Sequence, residues 1–117
     1  MTFDKLIENV KGWADDKGIL KSENAPKQLM KVMEELGETA GAIAKNKATD
    51  EIQDGIGDTF VTLIILAYQL GLEPSECLEH AWNEIKSTHI HSAPIMGDEE
   101  LLDITAIIDR TSVEIFA

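Results

Sequence analysis

The chain has a single cysteine, Cys77, and so no partner for an intramolecular disulfide. The fold must stand on packing alone, and a reducing compartment is the default expectation. Basic residues are also scarce: 10 Lys and Arg stand against 22 Asp and Glu, a net charge of −12. Such a surface disfavours loose association with nucleic acid or anionic membrane. An anionic substrate is accommodated only where bound cations reverse the local field. Aromatic residues make up 5% of the chain, so aliphatic side chains must supply most of the core. The longest apolar stretch, Phe60 to Leu70, contains Thr62 and Gln69 and is too short to span a bilayer. Residues 1–20 lack the apolar core of a signal peptide, being interrupted by Asp4, Lys5, Glu8, Asp15 and Asp16. The expectation is a cytoplasmic protein without membrane or nucleic-acid partners. There is no internal repeat and no low-complexity tract.

What is present is helical periodicity. A chain of 117 residues buries roughly two-thirds of its unfolded surface, enough for one core. Phe3, Leu6, Ile7, Val10, Trp13 and Ala14 form one stripe of a first helix, capped by Thr2 or Asp4 and stopped by Gly18. A polar loop from Ile19 to Ala25 leads to Pro26, which suits the first turn of a second helix ending near Lys45. Its expected inward face is Leu29, Val32, Met33, Leu36, Ala40 and Ile43, with a polar stripe of Gln28, Lys31, Glu35 and Glu38 beside it. The short connection 46–50 favours an antiparallel neighbour. That third helix, capped by Thr49 or Asp50, is acidic at first and then apolar on nearly every face, which in so small a chain points to an oligomer core. Gly71 ends it, and Glu73, Pro74 and Ser75 open a fourth helix with Cys77, Leu78, Ala81, Trp82 and Ile85 inward. Residues 88–97 read as loop, and 101–117 as a β-hairpin, because Ser112 to Phe116 alternates in the strand manner. The expected organisation is an all-α, antiparallel four-helix core over 1–87 and a C-terminal extension over 88–117.

The chemistry lies in two acidic groups, Glu34-Glu35-x-x-Glu38 and Glu51-x-x-Asp54-x-x-x-Asp58. Positions three, four and seven apart share a helical face, so Glu35 and Glu38 converge from one helix and Glu51, Asp54 and Asp58 from the next. Like charges at that spacing repel. A cation relieves the repulsion, and hard oxygen ligands on rigid helices suit Mg²⁺, or Mn²⁺. One acidic stripe is usually a solvated face. Two on consecutive helices, the second joined to an uncharged run, point to a site. Gly55 and Gly57 fit tight helix packing as well as substrate access.

These motifs resemble the MazG-like all-α nucleoside triphosphate pyrophosphohydrolases, which carry E-E-x-x-E on one helix and E-x-x-D on the next. The likeness runs through Gln28-Leu-Met-Lys-Val-Met-Glu-Glu-Leu-Gly-Glu38 and Asp54-Gly-Ile-Gly-Asp58, and extends over about residues 3–87. By the apolar run that follows, Asp58 aligns with the family Asp, which places Gly55 where a Glu is common. Asp54 or Glu51 then supplies the missing carboxylate, and Glu51-x-x-Asp54 also fits the pattern literally. The resemblance implies hydrolysis of a nucleoside triphosphate to the monophosphate and pyrophosphate, with deoxynucleotides or non-canonical nucleotides as expected substrates in a pool-cleaning role. The apolar second half of the third helix makes a homodimer or homotetramer the expected assembly. The resemblance also implies Glu35, Glu38 and Asp58 as metal ligands, Asp54 and Glu51 completing the set, and Glu38 and Glu35 as the catalytic pair.

Substrate contacts are expected from Lys31, Asn83, Lys86 and Trp13, although Trp13 and Trp82 read first as core or interface residues. Past Lys86, where relatives tend to continue with basic residues, this chain has Ser87-Thr88-His89-Ile90-His91. The segment 102–116 looks like a strand pair of invertase-type glycoside hydrolases, an appended segment from which no sugar chemistry is carried over. Two further classes compete: a catalytically silent helical scaffold, and a di-metal bundle oxidase. The oxidase needs Glu-x-x-His pairs, and none of the three histidines has Glu three residues before it.

Overall fold

A computed structural model describes residues 1–87, in which four α-helices follow one another: α1 (Phe3–Asp16), α2 (Ala25–Ala44), α3 (Thr49–Gln69) and α4 (Pro74–Ser87). A 3-10 turn, Ser22–Asn24, occupies most of the expected loop before α2. No strand occurs among the described residues. The expected hairpin and the loop before it lie outside them. Among the described residues no single helix is long and apolar enough to cross a membrane. The chain divides into two bodies, Met1–Cys77 and Leu78–Ala117.

The helix ends follow local chemistry. Thr2 caps α1, its Oγ1 accepting the Lys5 amide at 3.1 Å. Three helices close in the same way, with a left-handed residue after the last turn and an amide reaching back five residues. Gly18 has φ +70°, with Ile19 N–H donating to the Ala14 carbonyl at 3.0 Å; Gly71 has φ +74°, with Leu72 donating to Ala67 at 2.8 Å. Asn46 takes this role after α2 at φ +54°, with Lys47 donating to Ala42 at 2.9 Å. The cap expected of Thr49 or Asp50 is not found. Ala48 occupies the N-cap without a side-chain bond. Asp50 and Glu51 instead sit in the first turn, where their charges face the positive end of the helix dipole.

Within the first body, α3 is central, packed against both α1 and α2. Gln28 Nε2 donates to the Thr62 carbonyl at 3.0 Å, while Thr39 lies against Gly55. The pairing descends on α3 as it climbs on α2, so these two helices are antiparallel. α1 runs alongside α3 in the same direction. The Phe3 and Phe60 rings meet edge to face at 5.9 Å near the start, and Lys11 Nζ lies 4.6 Å from the Tyr68 ring centre further along. Gln69 Nε2 then donates to the Ile19 carbonyl at 2.9 Å, tying the loop after α1 to the end of α3.

The seam between α2 and α3 corrects the expected inward face. It follows Ala25, Gln28, Val32, Glu35, Thr39 and Ala42, at a spacing of three and four. Ala25, Val32 and Thr39 are buried, whereas Leu29, Leu36 and Ile43 are about half exposed. A polar seam is tolerable because its groups are bonded: Thr39 Oγ1 to the Glu35 carbonyl at 2.9 Å, Thr59 Oγ1 to Gly55 at 2.8 Å, and Thr62 Oγ1 to Thr59 at 2.9 Å. Leu29, Leu36 and Ile43 therefore form a second, outward stripe. On α3, Ile64 and Ile65 are buried, but Ile56, Phe60, Leu63 and Leu70 are exposed. Along α4 no residue is buried, which corrects the inward stripe expected there. Leu78, Trp82 and Ile85 still share one helical face by their spacing; it is burial that is missing.

Candidate metal and phosphate cleft

A cleft of about 250 Å³ opens between α2 and α3, lined by Glu35, Glu38, Thr39 and Ala42 from one helix and Glu51, Asp54, Gly55 and Asp58 from the other. The two sets have the same internal spacing. Glu35, Glu38 and Ala42 stand four before, one before and three after Thr39; Glu51, Asp54 and Asp58 stand likewise about Gly55. Helical residues at those offsets lie on one flank of the central residue. Antiparallel packing turns both flanks to the same side. The cleft is therefore a pseudo-two-fold site about the Thr39–Gly55 crossing, in which Ala42 is the counterpart of Asp58 and alone lacks a carboxylate.

The crossing is close because residue 55 has no side chain. A β-carbon there would overlap Thr39 Oγ1 and stand 3.2 Å from its Cβ and 3.3 Å from its Cγ2. Thr39 is fixed by its hydroxyl bond to the Glu35 carbonyl. Of the carboxylates, Glu35 sits deepest, with a side chain only 13% exposed, and it alone among the lining acids has a lysine beside it. Lys31 Nζ is 3.3 Å from Glu35 Oε1 and 3.4 Å from Glu34 Oε2. The bond to Glu35, with the charge of Glu34 behind it, holds the Lys31 ammonium above its ordinary 10.5. Glu38, Glu51, Asp54 and Asp58 are exposed to solvent.

All five expected ligands thus line one cleft, Glu35 and Glu38 from α2 and Glu51, Asp54 and Asp58 from α3. The expected substrate residues are not among the lining. Lys31 reaches the site only through Glu35. Trp13 is exposed on α1 with Lys17 Nζ 5.8 Å from its ring centre. It lies ten residues, or about 15 Å at the helical rise, beyond Phe3. Asn83 and Lys86 are exposed on α4, in the second body. Thr39 and Ala42 were not singled out by sequence. Their one signal is the spacing 35, 38, 39, 42, which repeats at 51, 54, 55, 58.

As placed, no three His, Cys, Asp or Glu side chains among the described residues are gathered closely enough to hold one ion. Their chemistry nonetheless suits a hard divalent cation, since the lining offers carboxylate oxygen and no imidazole or thiolate.

Over 65 residues the chain is 46% identical to a protein of Haemophilus phage HP1 (strain HP1c1) described as an uncharacterized 18.2 kDa protein in the rep-hol intergenic region. The match covers 56% of this chain and 39% of that protein, so the chain spans well under half of its relative's length. No protein-family model matches the chain, and no solved structure does.

Proposed function

We propose that this chain is a metal-dependent nucleoside triphosphate pyrophosphohydrolase of the MazG-like kind, converting its substrate to the monophosphate and pyrophosphate. The observation that carries the reading is the cleft itself: five carboxylates from two antiparallel helices, disposed about one crossing point and open to solvent. A merely solvated acidic face has no reason to repeat one spacing on two facing helices.

Glu35, Glu38 and Asp58, with Asp54 and Glu51, would hold Mg²⁺ or Mn²⁺. When bound, the ion neutralises phosphate oxygens and makes a water more acidic. The chain's own residues do the rest. Their net negative charge repels a triphosphate that arrives without cations. The gap at Ala42 leaves one side of the cleft free of carboxylate, where a phosphate chain can enter without facing a sixth anion. Whichever carboxylate of the set does not ligate the ion, with Glu38 the first choice as the essential residue, takes a proton from the attacking water. Oxygen of that water bonds to the α-phosphorus, the P–O bond towards the β-phosphate breaks, and pyrophosphate carries away the bonding electrons. Lys31 holds Glu35 in place within the seam.

The outward stripe Leu29, Leu36, Ile43 and the exposed Ile56, Phe60, Leu63 and Leu70 are too apolar to be left in water. A homodimer or homotetramer covers them. The test is pyrophosphate release from a panel of canonical and modified ribo- and deoxyribonucleoside triphosphates with Mg²⁺. Release from some members, with the matching monophosphate, supports the reading and ranks the substrates. Silence across the panel with an intact helical fold favours a scaffold that keeps the cleft without its chemistry.

A further inference from the structure

We propose that the apolar face of α4 pairs with the same face of α4 in a second copy of the chain, the two helices running antiparallel about a two-fold axis beside Ala81 and Trp82. The inference lies outside the cleft and does not depend on its chemistry. α4 has 14 residues, and an isolated helix of that length is marginal in water. None of its residues is buried, yet Leu78, Trp82 and Ile85 recur at spacings of four and three, with exposures of 63%, 55% and 49%. That is the narrow seam through which two helices pair.

The charges beside the seam choose the occupant and its direction. At about 100° of turn per residue, Glu79 and Lys86 lie on one flank of the seam and Ala81 on the other. Antiparallel two-fold pairing brings like flanks together. With the axis beside Ala81 and Trp82, Glu79 of one copy falls beside Lys86 of the other, and Lys86 beside Glu79. One glutamate and one lysine thus make two ion pairs by symmetry. On the opposite flank Ala81 meets its own counterpart, where a small side chain lets the helices close. Trp82 packs between Leu78 and Ile85 of the second copy. Parallel pairing would instead set Glu79 and Lys86 against the Ala81 flank, with no charge to meet.

The experiment is cross-linking of the full chain by a short bis-maleimide in a Cys77→Ser/Ala81→Cys background, with oligomeric state followed by sedimentation velocity and helicity by circular dichroism. Cys77 is exposed and is the only thiol of the parent, so the cysteine placed at 81 is then the sole target. The same background carries Glu79→Lys, Lys86→Glu or both. The proposal predicts covalent dimers. Either reversal alone sets like charges together in two places and weakens pairing by about tenfold or more, and the two together restore it. No cross-link with helicity intact overturns the proposal, whether residues 88–117 of the same chain or a different protein covers the face. A cross-link that the single reversals leave unchanged, or that the double reversal fails to restore, overturns the antiparallel register. If a single reversal loses helicity, the double variant decides, because recovery of helicity without cross-linking also overturns the pairing. None of these results bears on pyrophosphate release.

Discussion

Lys31 Nζ stands 3.3 Å from Glu35 Oε1, so the deepest carboxylate of the cleft is also the one that already has a cation at hand. The four other acids of the lining are exposed to solvent. The electrostatic asymmetry of the site follows. Its Glu35 end is partly compensated, and its remainder is the more negative.

Replacing Lys31 with Met separates the two roles open to this lysine. Without the ammonium the cleft becomes more negative, so Mg²⁺ should bind as tightly as before or tighter by a few-fold, as expected for one exposed charge. If Lys31 also touches phosphate, KM for the nucleotide rises while Mg²⁺ affinity does not fall. Calorimetry with Mg²⁺ beside steady-state kinetics makes that separation.

Metal should stabilise the fold. At about a hundred times its dissociation constant, a ligand that binds only the native state adds about 2.7 kcal/mol. The parent protein is expected to gain several degrees in Tm with saturating Mg²⁺, and Asp58→Asn or Glu38→Gln to gain much less. Differential scanning fluorimetry with and without EDTA reads both. Equal gains in the variants would show that the ion acts elsewhere.

Alkaline stability has a defined sign. Lys31 is raised above 10.5 chiefly by its bond to Glu35, and the Tyr68 phenol above 10.0 chiefly by burial, with Glu73 beside it. The folded state therefore holds these protons where the unfolded chain has begun to release them. Any stability they carry is complete below about pH 10 and is lost as pH rises through the folded values. Urea melts across pH 8 to 11 should show a decline only at the top of the range. In Lys31→Met/Tyr68→Phe that decline should be shallower.

The outward stripe makes an assembly prediction. Leu36→Glu and Ile43→Glu place charges on the half-exposed face of α2, away from its seam with α3. Sedimentation velocity should show these variants shifted towards monomer. By contrast Ile65→Ala, within the core, should cost about 2–5 kcal/mol without a specific effect on assembly.

The helices themselves were legible, because their apolar spacing, the Thr2 cap and the stops at Gly18 and Gly71 are local signals. The acidic pairing was legible for the same reason: both groups sit at helical spacing. The α2 seam was not. Hydrophobic periodicity selected Leu29, Leu36 and Ile43 as inward, but Gln28 and Thr39 can lie inward because each bonds to a backbone carbonyl. For Gln28 the partner is the Thr62 carbonyl on another helix, and for Thr39 it is the Glu35 carbonyl one turn back, a bond open to a helical Thr on any face, so neither marks the inward face in the sequence. Nor could Thr39, whose neighbour Gly55 lies on another helix, be assigned its place at the crossing from sequence. Asn46 as a left-handed stop was missed because Gly is the commoner signal there.

The most direct test of the account is pyrophosphate release by the parent chain and by Glu38→Gln, side by side, with Mg²⁺ and the best substrate of the panel. The substitution keeps size and removes one negative charge, so helicity should be unchanged. The account predicts pyrophosphate and monophosphate in equal amounts from the parent and a loss of at least about a hundredfold in the variant, the scale of general acid–base catalysis. Equal rates from the two proteins would contradict it.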